Sequence, residues 1–330
     1  MNDKSVLLYV GSYTKDNEAG IRLCRFYPAD GTVQRLESFS AGRNPTFLAL
    51  HPSKPVLYAV GEVGSHEGRP GGLVSSFSVD RATGHLTPLN QQPSHGAAPC
   101  HIVVTPDGCF LAAANYTSGA LALYPLEGDG RIGPACDTIQ HRGKGPDAER
   151  QKGPHAHSVN VDPGRRFILS CDLGIDKVLV YRIDPAARRL VPHGEAILHP
   201  GAGPRHLDFH PDGRHAYVVN ELDSTLTVFN YDSSKGLLTE IQTIPTLPEG
   251  FAGTHSGAEI QVHPSGRFLY ASIRGLDSIV ICRIDEATGK LSLIGREPTR
   301  GKTPRHFTLD PTNAFLLAAN QDSDSVTVFR

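Results

Sequence analysis

Residues 207–232 read LDFHPDGRHAYVVNELDSTLTVFNYD, and this stretch decides the fold. An apolar strand runs into His210-Pro211-Asp212-Gly213, a second apolar strand leaves that turn, and a third follows the polar Glu221-Leu222-Asp223-Ser224. Proline presets φ for the turn and glycine supplies the permissive backbone that closes it. Val, Phe and Tyr flank it at strand-like density. The phrase recurs as FLALHPSKPVLYAV, IVVTPDGCFLAAA, VNVDPGRRFILSC, IQVHPSGRFLYAS and FTLDPTNAFLLAA. Its turn prolines are Pro52, Pro106, Pro163, Pro211, Pro264 and Pro311, with spacings of 54, 57, 48, 53 and 47 residues, a mean of about 52. A period of that size built from short strands predicts propeller blades.

Each unit continues past its hairpin into a third strand (GALALYPL, DKVLVYRID, STLTVFNYD, DSIVICRID) and a poorer edge strand after a glycine turn (GHLTPLN, GKLSLIG). Residues 1–40 supply three strands (LLYVGSY, GIRLCRFY, VQRLES), five full repeats follow, and the last repeat ends after its third strand at Arg330. The expected fold is all-β: one domain over 1–330, a seven-bladed β-propeller of four-stranded antiparallel blades. Its seam between first and last blades is incomplete and leaves strand edges unpaired.

Composition narrows the function classes. The 330 residues carry 32 Lys plus Arg against 34 Asp plus Glu, a net charge of -2, and no basic stripe with interleaved aromatics points to nucleic acid. Trp is absent, which argues against the Trp-Asp repeat class. The apolar run Val6 to Val10 is too short for a signal-peptide core, and no stretch reaches the ~20 apolar residues of a membrane span. The six cysteines form no C-x-x-C pair, which fits reduced thiols and a cytoplasmic location.

Aligning the blades on their prolines exposes two polar columns. Six residues before each proline stand Thr46, Cys100, His157, Arg205, Ala258 and Arg305. Ten residues after it stand Glu62, Tyr116, Leu173, Glu221, Arg274 and Gln321. In an antiparallel hairpin these positions share the end opposite the turn. The columns hold a base candidate, His157 or Glu221, and three guanidiniums, Arg205, Arg274 and Arg305, whose forked donors suit carboxylate or phosphate. Two readings are open: a pocket for an anionic substrate, and a buried ion-pair network that fixes blade packing.

Sixteen histidines invite a metal, but His51, His210 and His263 precede turn prolines where other blades have Thr105, Asp162 and Asp310, so hydrogen bonding to the turn accounts for all six. His206 and His306 read as side chains on the strand face opposite the arginines. His155 and His157 share a strand face, yet no nearby Cys or acidic cluster completes a metal site. The insertion HRGKGPDAERQKGP, residues 141–154, reads as a solvated loop or as a flap whose Arg150 or Lys152 attracts an anion.

The phrases GPHAHSVNVDP (153–163), GAGPRHLDFHP (201–211), YVVNELDSTLTVF (217–229) and GRFLYASIRGLDSIV (266–280) resemble the lactonase family of seven-bladed propellers. YVGSYT (9–14) and ERQKGPHAH (149–157) match it as well, so the resemblance spans nearly the whole chain. It implies hydrolysis of 6-phospho-D-glucono-1,5-lactone to 6-phosphogluconate, a pentose phosphate pathway step. An unphosphorylated or carboxylated lactone and a non-catalytic interaction propeller are the alternatives. The family's catalytic residues fall on His157, Arg205, Glu221 and Arg274, and Arg305, His155, Glu62 and Asn220 are the expected substrate-binding groups. No metal or organic cofactor is required. The expected partner is a small anionic, phosphorylated sugar lactone, with no nucleic acid or membrane, acting on a monomer. The family usually has Asn where this chain has Ile273, and it continues past the third strand of the last blade.

Overall fold

A computed structural model describes residues 5–14 and 18–330. Among the described residues the strands assemble into seven antiparallel blade sheets, each with strand order equal to sequence order, and one small two-stranded hairpin, Ser65–His66 with Arg69–Pro70. The first sheet has three strands (Val6–Gly11, Ile21–Tyr27, Thr32–Phe39), and the last has three (Pro304–Leu309, Leu316–Asn320, Ser325–Phe329). The five between them have four strands each and begin with Leu48–Leu50, Pro99–Val104, Ala156–Val161, Pro204–Phe209 and Ser256–Val262. This is the seven-bladed propeller arrangement with short first and last blades, as the repeat predicts. The chain also divides into two compact units, residues 1–144, 153–161 and 181–192 in one and residues 145–152, 162–180 and 193–330 in the other.

The second strand of a full blade is mostly apolar because both of its faces are covered. Val56–Gly61, Phe110–Asn115, Phe167–Asp172 and His215–Asn220 are buried at every position. Successive sheets share apolar cores. In the first unit Tyr58, Val60 and Val74 meet Ile102, Leu111 and Ala113. In the second, Tyr217, Val219 and Val228 meet Ile260, Leu269 and Val280. Tyrosine hydroxyls cross from one sheet to a turn carbonyl of the next: Tyr9 to Gly84 O at 2.7 Å, Tyr58 to Gly130 O at 3.0 Å, Tyr217 to Gly289 O at 3.0 Å. Each such tie satisfies a phenol that burial would otherwise leave unpaired.

The residue before each turn proline caps its turn, as expected. Nδ1 of His51 accepts N–H bonds from Ser53 and Lys54, and Nδ1 of His263 accepts one from Ser265. Asp162 Oδ1 accepts from Arg166 and Phe167, Asp310 Oδ1 from Ala314 and Phe315, and Thr105 Oγ1 from Phe110. His210 Nδ1 accepts the Asp212 N–H at 3.2 Å.

Asn220 has a structural counterpart in two other blades. Nine residues after the turn proline, Asn115, Asn220 and Asn320 are all buried and turn their amides into their own blade. Asn220 Nδ2 donates to Thr225 Oγ1 at 2.8 Å and Thr227 Oγ1 at 2.9 Å. Asn115 reaches Ser94 O and Ala120 O, and Asn320 reaches Thr327 Oγ1.

Candidate functional site

The two polar columns do share one end of each hairpin, and a backbone bond shows it. The N–H of the later column donates to a carbonyl two residues before the earlier column: Glu62 to Asn44 O, Tyr116 to Ala98 O, Glu221 to Gly203 O and Gln321 to Thr303 O. All four carbonyl residues have left-handed φ: 54° for Asn44, 53° for Ala98, 64° for Gly203 and 59° for Thr303. For a β-branched threonine that conformation is strained, and such strain concentrates where side chains must be aimed. Cys100, Arg205 and Arg305 sit at β-bulges, where the pairing register shifts between Pro99 and His101, Pro204 and His206, and Pro304 and His306. A bulge breaks the strict alternation of faces and re-aims its residues. The expectation that His206 points away from the arginine before it fails for this reason, since His206 Nε2 lies 3.2 Å from Arg205 NH1.

In the second unit the columns converge on Glu221. Its Oε2 accepts from Arg205 Nε at 3.0 Å and pairs with Arg274 NH2 at 2.9 Å, while Oε1 accepts from Arg150 NH2 at 2.6 Å. Arg205 NH1 also donates to Ala258 O at 2.5 Å, and Arg274 NH2 to Gly257 O at 2.9 Å. Gly257 carries no side chain because a Cβ there would sit 2.4 Å from Asn220 O, in a strand that also receives Gly257 N–H on Glu221 O. Arg205 is only 2% exposed and Glu221 5%. Burial acts to protonate Glu221, but Arg274, Arg205 and Arg150 outweigh it and hold its carboxyl down at about 2. Burial, with the charges of Arg305 and Arg274, lowers Arg205 to about 10, so it stays a cation at neutral pH. Burial also lowers Arg274, and Arg305 adds to that effect. Arg305 therefore stands near enough for its charge to be felt by both.

Arg150 comes from the insertion. Asp147 Oδ1 accepts the N–H groups of Glu149 at 2.8 Å and Arg150 at 2.9 Å, folding residues 147–150 into an Asx turn. Gln151, fully buried, anchors that turn by donating to Leu173 O and Asp176 Oδ1 at 2.8 and 2.7 Å. The insertion thus brings Arg150 to the Glu221 carboxylate.

A second buried carboxylate adjoins the first cluster. Glu259, on the bulge between Gly257 and Ile260, places Oε2 3.1 Å from His206 Nδ1 and 3.0 Å from His306 Nε2. Burial pushes His206 down to about 4, so the ring is neutral. Arg205 can only donate, so His206 Nε2 accepts and its Nδ1–H donates to Glu259. Burial opposes ionisation of Glu259, yet His206 and His306 hold it well below the usual carboxylate range. Glu259 lies one residue off the column, where the other blades have Phe47, His101, Ser158, His206 and His306, none of them acidic.

In the first unit, His157 is 4% exposed, with its Nδ1 3.8 Å from Cys100 Sγ and its ring edge-on to Tyr116 at 5.4 Å. His155 stacks on Tyr116 at 4.5 Å and donates Nδ1–H to Tyr116 O at 2.9 Å. Glu62 accepts from Tyr13 Oη at 2.8 Å and from Thr46 Oγ1.

Glu221 carries a pH signature. Its folded carboxyl lies at about 2, below its ordinary value, so its contribution is complete above the unfolded pKa and fades as pH falls through about 2. That contribution is on the order of 3 kcal/mol. Urea midpoints should fall between about pH 4.5 and pH 2, and Glu221→Gln should flatten part of that slope. Glu259 keeps the rest. A variant with the wild-type slope would contradict the assignment.

The family pattern described as lactonase, 7-bladed beta-propeller, matches residues 7–330. A 6-phosphogluconolactonase of Bacillus subtilis is 34% identical over 97% of this chain and 90% of its own length. A 6-phosphogluconolactonase of Formosa agariphila is 33% identical over 98% of this chain and 92% of its own. Among solved structures, the Pseudomonas aeruginosa periplasmic gluconolactonase superposes with a TM-score of 0.93 at 34% identity, covering 99% of this chain and 92% of that one. With the Arg–Glu cluster and the blade repeat in place across its length, this chain belongs to the lactonase family of seven-bladed β-propellers.

Proposed function

We propose that the chain is a carboxylic-ester hydrolase that opens 6-phospho-D-glucono-1,5-lactone to 6-phosphogluconate. One observation carries the reading: Arg150, Arg205 and Arg274 surround the single carboxylate of Glu221, and the charge of Arg305 reaches the same cluster. Four cations against the two carboxylates of Glu221 and Glu259 still leave positive charge for a phosphate and for the oxyanion of an opening lactone. The names of the Bacillus subtilis and Formosa agariphila relatives support the same substrate.

Water attacks the lactone C1, its proton passes to a base, and the C1–O5 bond breaks with a proton delivered to the leaving O5. Glu221 is a poor base, since a carboxyl held at about 2 and engaged by three guanidiniums retains its protons weakly. In this reading it holds the arginines, Arg205 and Arg274 stabilise the oxyanion, and Arg305 and Arg150 take the phosphate. From the resemblance to the family, His157 is the base candidate, with His155 and Glu62 as substrate-binding candidates. Asn220, bonded to Thr225 and Thr227, belongs to the blade. The described helices include none long and apolar enough to cross a membrane. All six cysteines are free thiols, which supports a reducing compartment.

The test is turnover of freshly made 6-phosphogluconolactone above its spontaneous hydrolysis, beside gluconolactone at the same concentrations. A kcat/KM at least tenfold higher for the phosphorylated lactone is expected. Equal values would move the substrate to unphosphorylated lactones, the reading favoured by the gluconolactonase neighbour, and no acceleration of either would end the enzymatic reading. His157→Gln should remove the acidic limb of the pH–rate profile. If that limb survives there and disappears in His306→Gln, the base is the His306–Glu259 pair.

A further inference from the structure

The fifth sheet departs from the repeat at its turn end, away from the polar columns. Four residues after the turn proline, the second strand opens with Val56, Phe110, Phe167, Phe268 or Phe315 in the other blades and with His215 in this one. A buried apolar position has become an imidazole. The same turn supplies His210 and Asp212, a combination that no other turn of the alignment has. Asp212 Oδ1 lies 2.8 Å from His210 Nδ1 and 3.8 Å from His215 Nδ1, and the three donor atoms fall within 4.8 Å of one another.

His215 is 6% exposed, and its Nδ1 has no hydrogen-bond partner among the described residues. A buried ring nitrogen without a partner is costly, so an imidazole at a position that is phenylalanine in four other blades points to a ligand. The rest of the site is already oriented. His210 donates Nε2–H to Gly266 O at 2.9 Å, so Nδ1 carries the lone pair, which here accepts the Asp212 N–H at 3.2 Å and which an ion would take in its place. Arg214 holds the other carboxylate oxygen, with Nε and NH2 both 2.8 Å from Asp212 Oδ2. The His215 ring is fixed against the turn of the next sheet, where a Cβ on Gly289 would come within 2.2 Å of its Cδ2. Such outer contacts set the tautomer and aim of metal-bound histidines.

We propose that His210 Nδ1, Asp212 Oδ1 and His215 Nδ1 bind one divalent transition ion of the zinc class, with water in the remaining position. Zinc–nitrogen and zinc–oxygen bonds of about 2.0–2.2 Å place tetrahedral donors about 3.3 Å apart. The separations of 2.8 and 3.8 Å bracket that value. Two imidazoles and one carboxylate favour zinc, cobalt or nickel over calcium or magnesium. The site stands at the opposite end of the hairpin from Arg205 and Glu221, so it is structural: it pins the turn to the next sheet and does not touch the lactone.

The experiment is calorimetric titration of the chelator-treated full chain with ZnCl2, paired with visible absorption on adding Co(II). Wild type should bind one ion per chain with micromolar or tighter affinity, give a tetrahedral Co(II) spectrum and gain thermal stability. H215F restores the residue that four other blades use, so it should fold at least as well, lose binding by 100-fold or more and show no metal-dependent Tm shift. D212N should weaken binding at unchanged apo stability. No binding by wild type, or an unchanged isotherm in H215F, overturns the proposal.

Discussion

Replacing Arg205 with alanine should lower kcat/KM for 6-phosphogluconolactone by about 10²–10³-fold, mostly in kcat. The size follows from what the guanidinium does at once. Its Nε holds Glu221 at 3.0 Å while NH1 holds Ala258 O at 2.5 Å and faces His206 Nε2 at 3.2 Å. That wiring fixes a cation in a site where only 2% of the residue is exposed, and fixed charge in a dry site stabilises a developing oxyanion most. Lysine cannot replace it. A single ammonium presents no planar fork, so Arg205→Lys should recover less than a tenth of the lost activity. Alanine also strands Ala258 O and one side of Glu221, so Tm must be followed alongside kinetics. A folded Arg205→Ala enzyme with kcat/KM within about twofold of wild type would remove the cluster from the chemistry.

The sequence made the blades and the two columns readable, and the reason is physical. A proline-glycine turn has few substitutes, so its period survives, and antiparallel pairing then fixes which positions end up opposite it. Arg205, Glu221 and Arg274 meet because they occupy those positions. Glu259 escaped because the bulge between Gly257 and Ile260 puts two residues where the repeat counts one. The partnership of His206 with Arg205 was hidden by the same device, since face alternation stops at a bulge. Arg150 was only a suggestion, because an insertion has no counterpart to align, and it takes Gln151 buried against Leu173 and Asp176 to hold its turn in place. The place of Asn220 in the blade was legible in principle: Asn115, Asn220 and Asn320 recur nine residues after their prolines, which marks a blade residue rather than a ligand group. His215 was equally visible as the one histidine in a column of phenylalanines and valine.

Replacing Glu221 with glutamine should cost about 3–5 kcal/mol of stability. The amide keeps the shape of the carboxylate but removes the only negative charge that Arg205, Arg274 and Arg150 share. A buried ion pair adds modestly to stability when intact, whereas a charge left without its partner is expensive. Arg274 is the most exposed to this loss: among the described residues its Nε already has no hydrogen-bond partner, and the charge of Arg305 already acts against it. For a chain of this length the penalty corresponds to a Tm lower by about 4–7 °C. Charge repulsion, unlike a packing defect, can be relieved by an anion. Millimolar inorganic phosphate should therefore raise the Tm of Glu221→Gln more than that of wild type, because it supplies the missing counter-charge where substrate phosphate is expected to sit. Arg150 gives the contrast, since its side chain is 43% exposed and its pairing is worth less than about 1 kcal/mol. Arg150→Ala should leave Tm nearly unchanged and raise KM for the phosphorylated lactone. An equal Tm response to phosphate in wild type and Glu221→Gln would show that the guanidiniums around position 221 do not form an anion site.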